Sequence, residues 1–428
     1  MTVLRDSIQR LPIAMKWARL LSETGAWQAS ISAVGFLSGI AVVRLLDVEQ
    51  YAVYTIANSL LGAMIVLGDS GISSGVMSQG GAVWEDKDKL GSVIKTALRL
   101  CRLFAIAAAV LAIPVGIYLL TKHGSPVSVS VAIAAVLVPS FVVAVRNNVL
   151  QAPLRLNQDL RPLQRIQLGG NVARLFLLGG VLSFAPYALA ALVAAAASMS
   201  LANSFLARRA QVYSNPLAPT DPSVQSAIMR IVWRTLPGST YYAMLGQVTV
   251  WLLSIFGDSN SIAQLGALGR LAMVTSVASA VTVTLLVPRF ARLPNERPLL
   301  LRRFLVLGIG MLGACLLGVG FAALFPAQIL WILGSNYSDL QMELILVALT
   351  AAITLLGGLC VSLSFSRGIV PNPFGLIPYS IATYALFIAI NDVSTLRGVL
   401  FMGLGTATCM LGFNAIYLWL RAGRSAPH

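Results

Sequence analysis

Long apolar stretches follow one another along almost the whole chain, separated by short polar segments. A helix needs about 20 mostly apolar residues to cross the roughly 30 Å hydrocarbon core of a bilayer. Twelve stretches meet this requirement, so the pattern predicts an all-α polytopic membrane protein with twelve transmembrane helices. Their approximate limits are residues 25–46, 51–78, 93–120, 126–147, 163–183, 187–207, 228–256, 262–288, 303–325, 340–364, 373–391 and 397–420.

The hydrophobic pattern changes at the start and in the middle of the chain. Residues 1–24 form a basic amphipathic stretch rather than the apolar core of a signal peptide, and we interpret them as an uncleaved interfacial helix. The most polar and proline-rich segment, residues 210–225, lies at the midpoint. It predicts an N-lobe of six spans (25–208), a cytoplasmic linker (209–227) and a C-lobe of six spans (228–428), arranged as parallel repeats.

Composition narrows the class of protein further. The 428 residues are 57% hydrophobic and only 11% charged, and the mean hydropathy is +0.82, which excludes an ordinary soluble globular protein. The formal charge of +15 would suggest nucleic acid in a soluble protein, but in a membrane protein the position of each charge matters more. We therefore expect no nucleic-acid partner. The four cysteines show no CxxC spacing, so neither a disulfide framework nor a metal site is indicated.

The positions of Lys and Arg predict how the spans are oriented. With the N-terminus in the cytoplasm, the inner segments and adjoining helix ends carry 25 of the 30 basic residues, and the outer side carries only Arg44, Lys122 and Arg397. The positive-inside bias sets the orientation of multi-pass proteins, so both termini are predicted to be cytoplasmic. The remaining two, Arg174 and Arg270, fall inside predicted spans.

These two arginines are the first candidates for function. A charge at mid-membrane costs roughly 2.5–3.5 kcal/mol even on the lenient insertion scale. At a rise of about 1.5 Å per residue, Arg174 lies about 16 Å from the start of its span, and Arg270 lies about 12 Å from the outer end of its span. Gln167, Asn171 and Arg174 are spaced i, i+4, i+7 and share one helix face. We expect this face to border a wet cavity or another helix.

The second span carries a comparable polar stripe, with Tyr51, Tyr54, Asn58 and Asp69 at spacings near 3.6 residues. Asp69 is the only carboxylate clearly inside a span. We interpret it either as a proton-coupling site or as a structural partner of an arginine. The two tyrosines lie at a membrane boundary, where an aromatic belt is the commoner explanation.

Structural explanations compete with function for several of these charges. Arg234 lies near Pro237, whose ring should kink the seventh span, and it also fits the positive-inside bias. Arg44 fits an interfacial anchor at the outer end of span one unless it turns inward. Arg174 and Arg270 could instead snorkel or bond backbone carbonyls.

The distribution of polar residues favours a transporter over other polytopic proteins. A membrane glycosyltransferase or polymerase needs acid–base groups and usually a large extramembrane loop, and the sequence offers neither. No segment resembles a channel selectivity filter such as TVGYG. We therefore expect a non-enzymatic, two-lobed transporter without a cofactor.

Residues 44–82 read RLLDVEQYAVYTIANSLLGAMIVLGDSGISSGVMSQGGA, a Tyr-containing second helix followed by Asp69-Ser70-Gly71 and small residues. This segment and the six-plus-six arrangement resemble the Wzx-type polysaccharide flippases of the multidrug/oligosaccharidyl-lipid/polysaccharide exporter superfamily. Many relatives carry a basic residue shortly after the Asp-x-Gly element. This chain departs from them, reading Met77-Ser78-Gln79-Gly80 there.

The resemblance implies a MATE-like, V-shaped pair of six-helix lobes in the bacterial inner membrane. It also implies translocation of undecaprenyl-pyrophosphate-linked oligosaccharide from the cytoplasmic to the periplasmic leaflet by alternating access, for O-antigen, capsule or exopolysaccharide synthesis. Polysaccharide polymerase and assembly proteins are then the expected partners, and a monomer is the expected state.

The charges fit such a substrate independently. An anionic sugar pyrophosphate needs cations in a water-filled cavity, and arginine suits phosphate through its bidentate fork. The expected substrate-binding set is Arg174, Arg270, Asn171, Gln167, Asn58, Arg44 and Arg234, with Asp69 as the coupling candidate. The driving force is open between a proton or sodium gradient and the membrane potential. A multidrug cation antiporter of the same superfamily is the alternative, although cationic drugs favour a carboxylate-lined cavity.

Overall fold

The computed structural model describes residues 25–272, 296–367 and 373–421, together with isolated positions between 274 and 294. The leader predicted over residues 1–24 and much of span eight lie outside the described residues. Within the described ranges the secondary structure is helical, and no strand occurs.

The main helices of the described ranges are numbered α1 to α15 in chain order. They are α1 Gly25–Leu45, α2 Val48–Asp69, α3 Ile72–Gly81, α4 Lys87–Lys122, α5 Val127–Leu156, α6 Leu160–Phe184, α7 Ala188–Ala210, α8 Pro222–Leu245, α9 Val248–Phe256, α10 Ser259–Ala272, α11 Arg297–Leu324, α12 Pro326–Leu333, α13 Gln341–Phe365, α14 Pro373–Ile390 and α15 Leu396–Arg421.

Nine helical segments of the described residues are long and apolar enough to cross a membrane. They correspond to predicted spans one to six, nine, ten and twelve. The other three predicted spans appear as α8 with α9, as α10 and as α14. Exposed apolar side chains such as Ile106, Phe176, Phe184 and Leu317 cover the outer faces of these helices. The chain is therefore an all-α, multi-pass membrane protein, as the hydrophobic pattern predicts.

Span two is interrupted where the sequence reads Asp69-Ser70-Gly71. Ser70 and Gly71 adopt left-handed backbone angles, with φ of 37° and 90°, so α2 ends and α3 begins there. A Cβ atom at Gly71 would overlap the side chain of Thr235 on α8. Both the backbone conformation and this close approach therefore require glycine. The hydrophobic pattern, which is continuous across the break, does not reveal it.

Span seven is also divided. Helix α8 runs through Pro237 to Leu245, and α9 begins only at Val248. The interruption thus lies beyond the proline, which the sequence favoured as the irregular point of this span. We refer to α1 to α7 as the N-lobe and to α8 to α15 as the C-lobe; residues 211–221 connect α7 to α8.

Helix α2 lies at the boundary between the two lobes. It contacts α4, α5 and α7 of the N-lobe and α8, α9 and α10 of the C-lobe. Twelve of its 22 residues are buried, including Tyr51, Tyr54 and Met64, which are among the largest fully buried side chains. Because lipid tails are as apolar as leucine, close packing and interhelical hydrogen bonds, rather than a hydrophobic driving force, hold such helices together.

Candidate functional site

Two tyrosines of α2 form the centre of the candidate site. Tyr51 and Tyr54 are 0% and 1% exposed, and their rings stack with centroids 6.1 Å apart and an interplanar angle of 20°. They are one helical turn apart, so both face the lobe boundary. Because neither ring is exposed, the aromatic-belt interpretation does not hold for this pair.

Both intramembrane arginines reach these tyrosines, one from each lobe. Arg174 of α6 donates a hydrogen bond from Nη2 to the Tyr54 hydroxyl at 3.1 Å. Arg270 of α10 donates from Nε to the Tyr51 hydroxyl at 3.4 Å, and its Cζ lies 5.9 Å from the centroid of the Tyr54 ring. We refer to these four residues as the Tyr–Arg cluster.

The cluster carries two positive charges and, in the part of the chain that the structure describes, no carboxylate pairs with them. Among the described residues, neither Arg174 nor Arg270 forms an ion pair with a carboxylate. The Nε atom of Arg174 is buried and has no hydrogen-bond partner in the described part of the chain. A guanidinium has five N–H donors, and neutral tyrosine hydroxyls compensate its charge only weakly. The arrangement leaves donors free for an anion.

A cavity of about 550 Å³ opens beside Arg174 within the N-lobe. Its lining includes Tyr54, Asn58, Gln167, Asn171 and Arg174. The polar stripe of α6 and Asn58 of α2 therefore face the same space. We call it the N-lobe cavity. Arg270 does not line it. The two arginines therefore meet through the tyrosine pair rather than across a single cavity shared by both lobes.

The amides of the stripe are held by neighbouring helices. The Gln167 Nε2 donates to Gln151 Oε1 at 3.3 Å, and the Asn171 Nδ2 donates to the carbonyl of Ile31 at 3.3 Å. These are long hydrogen bonds, which a ligand hydroxyl can readily replace. The remaining polar lining includes Gln28, Ser140, Arg155 and Ser198.

A close approach between α10 and α2 places Arg270 beside the tyrosines. A Cβ atom at Gly266 would lie 2.5 Å from Oγ1 of Thr55 and 3.2 Å from a ring carbon of Tyr51. Small residues at helix interfaces allow such close backbone approach in membranes. Gly266 thus sets the spacing at which the C-lobe arginine meets the N-lobe aromatic pair.

Two predicted substrate residues lie away from the cluster. Arg44 is exposed and donates hydrogen bonds to the carbonyls of Trp331 at 2.5 Å and Ile332 at 2.8 Å, at the end of α12. Its Cζ also lies 4.9 Å from the Trp331 ring centroid, so it joins α1 to the C-lobe. Arg234 is exposed on α8 and does not line the N-lobe cavity.

Asp69 occupies the helix break described above. Its Oδ1 accepts hydrogen bonds from the backbone N–H of Ser73 at 3.2 Å and the Ser73 hydroxyl at 2.5 Å. It thereby satisfies the free end of α3, as a capping residue does. No ion pair between Asp69 and an arginine is present in the described residues. Nor does the described part of the chain contain a cluster of His, Cys, Asp or Glu that could hold a metal ion.

Comparison with known proteins identifies the architecture. No family model and no curated protein match the chain in sequence. An inward-facing MATE family multidrug resistance transporter of the MOP superfamily superposes with a TM-score of 0.69 at 17% identity, covering 91% of this chain and 94% of that one. The chain has the MATE fold. An outward-facing MATE family transporter gives a TM-score of 0.60 at 17% identity, with 95% of each chain covered.

A further structural neighbour is a MOP superfamily transporter from Pyrococcus furiosus Vc1. It superposes with a TM-score of 0.63 at 17% identity over 95% of each chain, and it is described as having a binding pocket of reverse polarity that suggests a different function. These matches confirm the predicted all-α fold with twelve helices in two six-helix lobes. At this identity the likeness concerns the MATE fold alone.

The MATE-like lobes enclose one feature that the sequence analysis missed. An apolar cavity of about 620 Å³ lies in the C-lobe, bordered by Phe36 of α1 and by Leu271 and Ala272, which directly follow Arg270. Its other walls come from α11, α12 and α13, together with Thr275 and Ala278. Because these helices are apolar on every side, no periodic signal distinguishes cavity-lining positions from lipid-facing ones.

Proposed function

We propose that this chain is a transporter that carries a polyprenyl-pyrophosphate-linked oligosaccharide between membrane leaflets by alternating access. The observation that supports it best is the convergence of Arg174 and Arg270, one from each lobe, on a buried tyrosine pair without a carboxylate partner among the described residues. Two uncompensated guanidinium groups at membrane depth suit an anionic head. We further propose a bacterial inner-membrane location, both termini cytoplasmic, and outward transport for surface polysaccharide synthesis.

Pyrophosphate chemistry matches the donors of the cluster. Each arginine presents a planar fork that can bond two phosphate oxygens at once. In the cluster the two guanidinium groups already contact neutral tyrosine hydroxyls, which an anion can displace at little electrostatic penalty. Since the arginines belong to different lobes, a bound pyrophosphate would bridge those lobes. Such differential contact is what a ligand needs in order to shift a two-state equilibrium.

The N-lobe cavity offers groups suited to sugars. Asn58, Gln167 and Asn171 supply amide donors and acceptors around a space of about 550 Å³, and a few well-placed polar groups of this type orient ligands in binding pockets. The cavity begins at Arg174, so an oligosaccharide attached to a pyrophosphate held there would extend among these amides.

The apolar C-lobe cavity suits the prenyl chain. It starts at Leu271, next to Arg270, and is lined almost entirely by apolar side chains. An amphipathic anion therefore has a polar space on one side of the cluster and an apolar space on the other. This polarity matches the order glycan, pyrophosphate, prenyl chain in the proposed substrate.

A multidrug cation antiporter is the second candidate, because the neighbours are MATE transporters described as multidrug resistance proteins and the C-lobe cavity is apolar. The positive charge of the Tyr–Arg cluster argues against a cationic substrate. Cationic drugs would meet Arg174 and Arg270, whereas Asp69 caps α3 instead of lining the N-lobe cavity.

Arginine substitution separates the two candidates. In a strain lacking the native protein, we expect Arg174→Ala and Arg270→Ala to reduce surface polysaccharide about 10- to 100-fold, the range that the loss of one charge-assisted hydrogen bond implies. Lipid-linked oligosaccharide should accumulate on the cytoplasmic leaflet. The Arg→Lys variants keep the charge, lose the fork and should be partly active.

The matched control is Arg302→Ala, which removes an exposed arginine of α11. It should leave export unchanged. Full export by well-expressed Arg174→Ala and Arg270→Ala variants would refute the proposal. Wild-type-dependent resistance to cationic drugs, with unaltered surface polysaccharide, would instead establish the antiporter.

A further inference from the structure

A third cavity lies between α4, α5, α7 and the linker that joins the lobes, and it shares no lining residue with the N-lobe cavity. Its volume is about 480 Å³. Four basic side chains line it, Lys95, Arg99 and Arg102 from α4 and Arg146 from α5, and no lining residue is a carboxylate. None of the four forms an ion pair with a carboxylate of the described residues. The lining of this linker cavity therefore carries four positive charges and no negative one among the described residues.

The basic residues of α4 continue directly into an exposed apolar face. Lys95, Arg99 and Arg102 are spaced by four and three residues and share one side of the helix. The next positions on that side, Ile106 and Val110, are 63% and 66% exposed. A helix face that changes from cationic to exposed apolar side chains is typical of the boundary between lipid headgroups and acyl chains.

A smaller cavity of about 150 Å³ extends the linker cavity between α4 and α5. The two cavities share Leu98, Arg102 and Arg146. The remaining walls of the smaller one include Val142, which is exposed, and Val145. The positive space therefore passes into an apolar one at the depth where α4 loses its charges.

The linker side of the cavity is held in place by hydrogen bonds to α4. The Asn215 N–H donates to the carbonyl of Lys87 at 2.9 Å, and its Nδ2 donates to Asp88 Oδ1 at 2.6 Å. Further along, the Asp221 N–H donates to Thr96 Oγ1 at 3.0 Å. These hydrogen bonds fix the linker against α4, so the wall that the linker contributes to the cavity is well defined.

We propose that the linker cavity binds the phosphate headgroup of an anionic glycerophospholipid, whose acyl chains lie along Ile106, Val110 and Val142. Basic pockets between transmembrane helices on the cytoplasmic side are suited to such headgroups. The positive-inside bias accounts for basic residues near this face but requires no cavity. It also gives no reason for basic side chains of two helices to line one space without carboxylates.

Lipid titration of the purified full-length protein tests the proposal. Native mass spectrometry would measure binding of dioleoylphosphatidylglycerol, with dioleoylphosphatidylcholine as the zwitterionic comparison. A basic residue near the membrane surface strengthens binding of an anionic lipid about fivefold, so Arg99→Gln/Arg146→Gln should weaken phosphatidylglycerol binding about 30-fold. Binding of phosphatidylcholine should not change.

The control is Arg302→Gln/Arg303→Gln, which removes the same charge from exposed positions on α11. It should bind phosphatidylglycerol as the unmodified protein does. Equal losses in both double variants would reduce the effect to general surface charge and overturn the proposal. Competition by inorganic phosphate at concentrations similar to those of the lipid would also overturn it, because the ligand would then be a soluble anion.

A second measurement uses the unmodified protein and does not depend on how the variants fold. Phosphatidylglycerol with a diazirine on its acyl chain is photolysed in the complex, and labelled peptides are mapped. We expect the label to concentrate on the segments of α4 and α5 that contain Ile106 and Val142. Even labelling of all lipid-facing helices would refute a specific site.

Discussion

Arg174 of the N-lobe and Arg270 of the C-lobe meet at one tyrosine: the Nη2 of Arg174 lies 3.1 Å from the Tyr54 hydroxyl, and the Cζ of Arg270 lies 5.9 Å from the centroid of its ring. The Tyr54 hydroxyl therefore contacts the arginine of the N-lobe, and the face of its ring contacts the arginine of the C-lobe. The attraction of a guanidinium to an aromatic face is worth about 0.5–2 kcal/mol, depending on desolvation. Tyr54 therefore contacts one arginine of each lobe at the same time.

Removing the Tyr54 hydroxyl should separate stability from anion binding. Tyr54→Phe leaves Arg174 without its hydrogen-bonded partner, so we expect a loss of about 1–3 kcal/mol in unfolding free energy. Pyrophosphate binding to the purified protein should be retained or strengthened, since the anion no longer displaces a hydroxyl. Thermal unfolding and isothermal titration would measure the two effects.

Tyr337→Phe is the matched control for that change. Tyr337 is also buried, but its hydroxyl has no hydrogen-bond partner among the described residues. Its replacement should leave pyrophosphate binding unaltered and should not lower the unfolding free energy, because the lost hydroxyl makes no hydrogen bond with the described residues. If Tyr54→Phe and Tyr337→Phe behave alike, the hydrogen bond between Tyr54 and Arg174 contributes to neither stability nor anion binding.

Gly266 should be intolerant of even one added methyl group. In Gly266→Ala the new Cβ would press on Thr55 and the Tyr51 ring, and overpacking of this kind costs about 1–3 kcal/mol. Gly269 lies one turn further along α10, where an added Cβ meets nothing within 4 Å, so Gly269→Ala should be neutral or stabilising by up to about 1 kcal/mol. Melting temperatures in detergent would decide, and equal shifts for both variants would contradict the packing argument.

The sequence was sufficient for features that depend on local chemistry. Stretch length predicted the spans, and the i, i+4, i+7 spacing of Gln167, Asn171 and Arg174 predicted a shared polar face, which the N-lobe cavity confirms geometrically. Whether these side chains bind a substrate is still a prediction. A polar stripe on a mostly apolar helix shows which face of that helix turns toward a polar space.

Features that depend on distant partners could not be predicted. Tyr51 and Tyr54 are buried because α2 contacts helices of both lobes, and the local sequence does not show which distant helices cover them. Arg44 bonds the carbonyls of Trp331 and Ile332, almost 300 residues away, and no local pattern encodes that contact. The break at Gly71 depends likewise on the approach of Thr235.

Asp69 is expected to act as a helix cap. Asp69→Asn keeps an oxygen that can accept from Ser73, so export and melting temperature should stay near those of the unmodified protein. Asp69→Ala removes the acceptor and should destabilise by about 1 kcal/mol. Loss of export in a stably folded Asp69→Asn variant would contradict this and identify the carboxylate as a coupling site.

The predicted orientation can be tested by cysteine labelling in intact cells. We expect Ser125→Cys and Asn391→Cys to react with a membrane-impermeant maleimide, and Leu217→Cys to react only after permeabilisation. Leu217 is strongly exposed, whereas the neighbouring Ser214 is buried. The background should carry Cys409→Ser, because the other three cysteines are buried. Reversed labelling would invert the topology and the direction of transport.

The loop between α5 and α6 provides a test of pH dependence outside the membrane-spanning segments. Asp159 Oδ2 accepts hydrogen bonds from Arg209 Nη2 at 2.5 Å and from the Tyr213 hydroxyl at 2.8 Å. Partial burial acts to raise the pKa of Asp159, but these hydrogen bonds outweigh it and the pKa lies below its ordinary value of 3.8. The folded state therefore favours the carboxylate.

A lowered pKa in the folded state stabilises the protein above the unfolded-state pKa, and this stabilisation is lost as the pH falls through the folded-state pKa. The unfolding free energy of the unmodified protein should exceed that of Asp159→Asn by about 1 kcal/mol at pH 5 to 8, a modest value because Arg209 is 39% exposed. The difference should shrink as the pH falls below about 4. In an Arg209→Gln background, the same Asp159→Asn comparison should show a smaller difference at neutral pH and a weaker pH dependence. A difference that stays constant down to pH 3, or one that is unaltered by Arg209→Gln, would show that the ion pair does not stabilise this loop.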